Sequence, residues 1–258
     1  MSKDLINGYV TSETHNAITT IEFFHPQSNS LPRHILDALA NEIHDAGAGK
    51  EGKVIVLRST GEKAFCAGAS FDELSKIEDE KKGFHFFSGF ANVINAVRKC
   101  PKFIIARIHG KCVGGGVGIA AAADYSIAVE GADIKLSELA VGIGPFVVGP
   151  VIERKIGLSS FSQLAIDAGM WRNADWARRK GLYSELHPTI ESMDESVSRL
   201  ANNLSQSSPE AMSQMKKIFW QGTEDWDDIL YRRAEISGRL VVSNFTKEAI
   251  AKFKKKES

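Results

Sequence analysis

The chain has 258 residues, enough for one large domain with a sizeable buried core and no need of disulfides or metals. Hydrophobic residues make up 43% and charged residues 25%, and 32 basic side chains balance 32 acidic ones, which excludes a disordered chain and makes nucleic acid a poor partner. Cys66, Cys100 and Cys112 are odd in number and form no C-x-x-C pair, so neither a disulfide framework nor a zinc site is expected and a reducing cytoplasm is the simplest setting.

The opening "MSKDLINGYV" has no apolar core that could act as a signal peptide. In chain order, "TTIEFF" (19–24) and "KVIVLRS" (53–59) are rich in branched and aromatic residues and read as strands. Between them Leu31, Ile35, Leu39 and Ile43 fall at helical spacing, with Ser30 as a cap before Pro32. His34 and His44 lie on this helix, which reads as largely exposed, and are expected to be solvated. A second helix is expected from Phe71 to about Lys99, and "KFIIARIHG" (102–110) is an apolar strand ending at a glycine. This alternation predicts crossover units with buried parallel strands.

The longest apolar stretch, Leu139 to Ile152, is broken by three glycines and two prolines and falls short of the roughly 18 residues of a membrane span, so no membrane partner is expected. After about Gly157 the chain reads almost entirely as helices, the last from about Asp225 to Ser243, and the tail "KKKES" reads as a solvated end. The domain reading is a sheet-containing core over 1–190 and a helical C-terminal region over 191–258.

Three stretches carry candidate chemistry. "KCVGGGVGIAAAAD" (111–124) lacks the Lys-Ser/Thr of a phosphate loop, because Gly116 and Val117 follow Gly115, and it has Ile119 where a dinucleotide fingerprint needs its third glycine. What remains is a strand, a glycine loop and a small-residue helix. Its bare N–H groups could hold an oxyanion formed during a reaction; a tight turn with close helix packing is the alternative. "GEKAFCAGASFDEL" (61–74) repeats the strand-glycine-helix junction, with Asp72 and Glu73 at the helix start, so two junctions could give one N–H each to a single oxygen. Its Cys66 has an apolar flank and no adjacent cation, which makes it buried filler rather than a nucleophile.

Glu138 is followed by apolar residues or glycine from Leu139 to Phe146. A carboxylate there is partly desolvated and suited to proton transfer; the alternatives are a helix cap or a buried salt-bridge partner. "GFHFFSGF" (83–90) offers Phe84, Phe87 and Phe90 as core, subunit contact or lining of a cavity. No G-x-S-x-G or H-E-x-x-H motif occurs, and the seven histidines show no ligand clustering, so no metal is expected.

From Tyr9 to Lys252 the chain resembles the enoyl-CoA hydratase/isomerase family, also called the crotonase family. The resemblance rests on "FCAGASF" (65–71), "ARIHGKCVGGGVGIAAAADYSIA" (106–128), "LSELAVGIGP" (136–145) and "ARRKGLYSEL" (177–186). It implies an α/β fold of repeated β-β-α turns forming a superhelix, with a helical C-terminal region that assembles a homotrimer or homohexamer. It implies an acyl-CoA thioester as substrate, coenzyme A being part of the substrate and no further cofactor being needed. The thioester oxygen would be held by the N–H groups of Ala69 and Gly115, and the backbone of Ala67, Gly68, Ala69, Ser70 and Phe71 would border CoA.

Hydratases of this family usually carry two glutamates. Here the second position is Glu138, while Gly118 stands at the first, and Ser70 replaces a common Asp, which bears on loop capping. One carboxylate suits isomerisation of an enoyl-CoA or hydration managed by a single acid. "GIGPFVVGPVIERKIG" (142–157) resembles the loop of methylglutaconyl-CoA-type hydratases, which keeps hydration open. A protein that kept the fold and binds CoA esters without catalysis is the alternative.

Overall fold

The computed structural model describes the backbone of residues 6–257 and side chains as far as Lys252. The first five residues of the N-terminal stretch, and the side chains of the "KKKES" tail, lie outside the described residues.

The chain winds through repeated turns, each a long strand, one or two short strands and a helix. After β1 (Tyr9–His15), the first turn is β2 (Ile18–Phe24), β3 (Ser30–Leu31) and α1 (Arg33–Ala48). The second is β4 (Val54–Ser59), β5 (Ala64–Cys66), β6 (Gly68–Ala69), α2 (Phe71–Leu74) and α3 (Glu80–Lys99). The third is β7 (Phe103–Ile108), β8 (Lys111–Val113) and α4 (Gly115–Ala122). The fourth is β9 (Tyr125–Val129), β10 (Ile134–Lys135), a 3-10 turn at Leu139–Val141 and α5 (Gly149–Ile166), which is interrupted at Gly157.

The long strands form one sheet in the order β1-β2-β4-β7-β9-β11, where β11 is Glu185–His187. All its pairs are parallel except the β1–β2 hairpin, closed by Asn16 and Ala17 at positive φ. Parallel strands covered on both faces read as near-continuous apolar runs, and "VIVL" of β4 is wholly buried. The short strands build a second layer, with β10-β8-β5 in one parallel sheet and β3-β6 in another. That layer matters for function, because the chain leaving β5, β8 and β10 emerges side by side.

Three expectations need correction. Ser30 lies in β3, three residues before the first residue of the helix, and Pro32 is the N-cap without a side-chain cap. The helix expected over 71–99 is two helices, since Asp79 accepts the Lys82 N–H at 2.8 Å and starts α3 anew. The second half is not purely helical: β11, three residues long, is held by the ready-made edge of β9 rather than by its own apolar pattern. Helices α6 (Ala174–Arg179), α7 (Ile190–Ser205), α8 (Pro209–Phe219), α9 (Trp226–Val241) and α10 (Asn244–Glu257) complete the chain. Along α1, Ile35, Leu36, Leu39 and Ile43 face the core, while His34 and His44 are exposed as expected.

Helix α8 is tied to the core by a buried ion pair. The Lys216 ammonium lies 2.7 Å from the Asp124 carboxylate and donates to the Lys102 carbonyl at 2.8 Å, and the same Asp124 oxygen accepts the Ile104 N–H. Removing one partner of such a pair strands a charge out of water. We expect Lys216→Ala to lower the unfolding free energy by about 3–5 kcal/mol in urea denaturation; a loss no larger than that of a surface Lys substitution would refute this.

Candidate active site

The adjacency of β5, β8 and β10 brings residues 67–69, 114–115 and 137–138 to one cleft of about 570 Å³, its open mouth included. Its apolar walls come from Phe71, Leu74, Phe87, Phe90, Val141, Ile143 and the 145–148 stretch. The aromatic run is thus split. Phe87 and Phe90 are buried and line the cleft, so they serve core and cavity at once, while Phe84 is half-buried and packs against Tyr231 with ring centroids 6.3 Å apart.

Both glycine junctions reach the cleft. In the ladder with β3, the Ser70 N–H bonds to the Leu31 carbonyl, so that of Ala69, one residue earlier in the alternation, points to the other side. Gly115 opens α4, where the first N–H groups have no intrahelical acceptor and the helix end carries partial positive charge. The loops touch: a Cβ added at Gly68 would lie 2.7 Å from the Val113 carbonyl and 3.4 Å from the Gly115 nitrogen. Ala67, Gly68, Ala69 and Phe71 line the cleft, whereas Ser70 is buried behind them and its hydroxyl accepts the Glu73 N–H at 3.4 Å. Ser70 therefore fills the capping role of the common Asp. Cys66 is buried and inert, its thiol pushed up to about 12 by desolvation.

Glu138 follows β10, with its backbone near the surface and its carboxyl turned inward. Oxygen Oε2 is buried without a hydrogen-bond partner. Burial pushes its carboxyl up to about 7, against a smaller opposing contribution from its own backbone N–H. Neither cap nor ion pair, the two alternatives from sequence, is present at this side chain: the 3-10 turn that it precedes shows no side-chain cap, and no basic group is within salt-bridge distance among the described residues. The carboxyl presses on bare backbone instead. Gly114 stands at φ 52° and ψ −116°, and a Cβ there would be 2.9 Å from Glu138 Oε1. Gly118, one turn on, is buried beneath Val148.

Some of this was not legible beforehand. Nothing in the sequence pairs Val148 with Gly118 or seats Phe90 against Gly115, where an added Cβ would be 2.1 Å from the ring. A small-residue helix in a glycine loop is a general signal of close approach, but the partner is set by tertiary packing. Among the described residues no group of three or more His, Cys, Asp or Glu could hold a metal, and no helix is long and apolar enough to cross a membrane.

A spiral of β-β-α turns, with two strand-glycine-helix junctions and a buried carboxyl lining one cleft, is a crotonase-type fold. Residues 13–257 match the enoyl-CoA hydratase/isomerase family, and the chain belongs to that family. It is 27% identical over 254 residues to the short-chain-enoyl-CoA hydratase of Clostridium acetobutylicum, covering 97% of this chain and 95% of that one. It is 30% identical over 200 residues to the mitochondrial methylglutaconyl-CoA hydratase of Mus musculus, covering 76% of this chain but 63% of the relative, less than two thirds of its length. The crystal structure of an enoyl-CoA hydratase from Bacillus halodurans superimposes with a TM-score of 0.87 at 21% identity, covering 95% of this chain and 99% of that one, a likeness of fold.

If burial holds the Glu138 carboxyl near 7, its ionisation opposes folding. A carboxyl raised above its unfolded value near 4.5 binds an extra proton in the native state, so stability falls as pH rises from about 4.5 to 7. We expect Glu138→Gln to be more stable than the wild type by on the order of 3 kcal/mol at pH 8 and to differ little at pH 4. Equal stability at both pH values would contradict the desolvated carboxyl.

Proposed function

We propose that this protein is an acyl-CoA-processing enzyme that transfers a proton next to a thioester carbonyl, isomerising or hydrating an enoyl-CoA, with Glu138 as its catalytic acid–base. The observation that carries this reading is the buried Glu138 carboxyl, its Oε2 without a hydrogen-bond partner, in the same apolar cleft as Ala69 and Gly115.

Abstraction of a proton beside a thioester moves charge onto the carbonyl oxygen. Two preorganised N–H donors stabilise that oxygen as it becomes an enolate, and the apolar walls keep their interaction unscreened. Each such donor contributes about 2.7–4 kcal/mol to lowering a barrier. Ala69 and Gly115 take that role in the proposal, and the backbone from Ala67 to Phe71 borders CoA. A carboxyl near 7 is divided between acid and base forms at neutral pH, which suits a group that must both take and return a proton. No cofactor beyond the CoA ester is part of the reading.

The same proposal has residues 191–258 assemble a homotrimer or homohexamer in the cytoplasm. Exposed Ile218, Phe219 and Phe245 are apolar side chains that such an interface would cover, and three free cysteines suit a reducing compartment. Gly118 at the family's usual first acid favours a second reading, a CoA-ester-binding protein without catalysis.

A panel of straight and branched 2-enoyl- and 3-enoyl-CoA thioesters, followed by ultraviolet absorbance of the conjugated thioester, separates the two. We expect turnover with at least one ester, rising with pH through about 7 as the carboxylate form appears. Glu138→Gln should lose about a hundredfold to ten-thousandfold in kcat while binding CoA esters with little change. Binding without turnover across the panel would favour the second reading, and near-normal turnover by the Gln variant would remove Glu138 from the mechanism.

A further inference from the structure

The position one helical turn beyond Gly114 is not empty space awaiting an acid. A Cβ added at Gly118 would lie 2.5 Å from Val148 Cγ1 and 2.7 Å from Val148 Cβ, and Val148 is only 5% exposed. Such distances force a shift of the branched side chain and of the start of α5, whose N-cap is Val148. Val148 also lines the cleft, as does Glu138. The Gly118 N–H donates to the Gly114 carbonyl at 3.3 Å, which sets the two positions one turn apart, with the Glu138 carboxyl against the first and the Val148 isopropyl group against the second.

We propose that Val148 is the specificity-determining residue of this site: seated on Gly118, it closes the wall beyond Glu138 with a dry apolar surface that holds no second acid and no nucleophilic water. The inference rests on the functional reading above and narrows it to double-bond migration. An ordered water needs two to four polar partners, and Val147 and Val148 offer none from their side chains. The hydroxyls lining the cleft, Ser137 and Ser237, come from other elements.

The reaction that remains is internally balanced. The Glu138 carboxylate takes a proton from C2 of a 3-enoyl thioester, and the electron pair of that C–H bond passes into an extended enolate. The resulting carboxylic acid returns the proton at C4, the thioester carbonyl re-forms and the double bond lies between C2 and C3. One C–H bond breaks, one forms, and no water is consumed.

Val148→Thr tests this, because it keeps the branched shape on Gly118 and adds a hydroxyl that can anchor water. Wild type and variant are assayed with the same CoA-ester panel in D2O, recording isomerised product, hydrated product and deuterium in the isomerised product. In the wild type we expect isomerisation to exceed hydration by about a hundredfold or more, with much of the proton returned undiluted. In Val148→Thr that ratio should fall at least about tenfold and deuterium incorporation should rise. An unchanged ratio and unchanged deuterium content in an active variant would overturn the inference and leave the functional reading standing. A wild type that hydrates faster than it isomerises would do the same. A wild type inactive with every ester would overturn both together. The packing premise has its own readout: Gly118→Ala should lower the melting temperature and Val148→Ala in the same chain should recover part of that loss, whereas additive losses would refute the contact.

Discussion

The Glu138 carboxyl is held out of water against the backbone of Gly114, and that contact constrains everything around it. Any Cβ at 114 would enter the carboxyl, and the dihedrals there are closed to other residues, so the mouth of α4 must be bare. A bare mouth leaves the first N–H groups of the helix accessible, and the neighbouring β6 end contributes a second set. Glu138 and the two glycine junctions are therefore neighbours in one cleft, brought there by three short parallel strands that lie side by side.

Two buried acids show how differently the fold treats structure and chemistry. Asp124 has the Lys216 ammonium and the Ile104 N–H as partners, as buried charge requires. Glu138 has an oxygen without any partner, which costs about 1–3 kcal/mol and is tolerated because the surrounding core is extensive. A buried carboxyl with one oxygen left unpaired is poor for stability, and desolvation outweighs the single backbone N–H that favours its charged form.

Much of the fold was legible in the sequence because its signals are local. The buried strands "VIVL" and "FIIA" are continuous apolar runs, and the two strand-glycine-helix junctions sit where the cleft forms. Glu138 stood out because its apolar flank already implied desolvation. The break between α2 and α3 rests on Asp79, a capping residue type whose role shows only once the chain before it leaves the helix. Strand β11 carried no signal of its own, because a pre-existing sheet edge supplies its partners. The seating of Phe90 on Gly115 and of Val148 on Gly118 joins residues distant in sequence, and one sequence holds no trace of such pairings.

Family membership fixes the spiral and the class of ligand pocket more firmly than it fixes a reaction, because reactions reside in a few side chains grafted onto the fold. Removing a large side chain from a packed site leaves a cavity that costs stability in proportion to its volume, so some neighbour is expected to move in. Cavity filling explains why a side chain covers Gly118. It does not explain why that side chain also faces the cleft, since an inward-pointing residue would fill the same space without contributing to the wall. Val148 does both, from the N-cap of α5, where its position is set by the following helix. Gly118 and Val148 thus form one unit, which in the proposal gives the cleft a hydrocarbon wall beside the only carboxylate that lines it among the described residues.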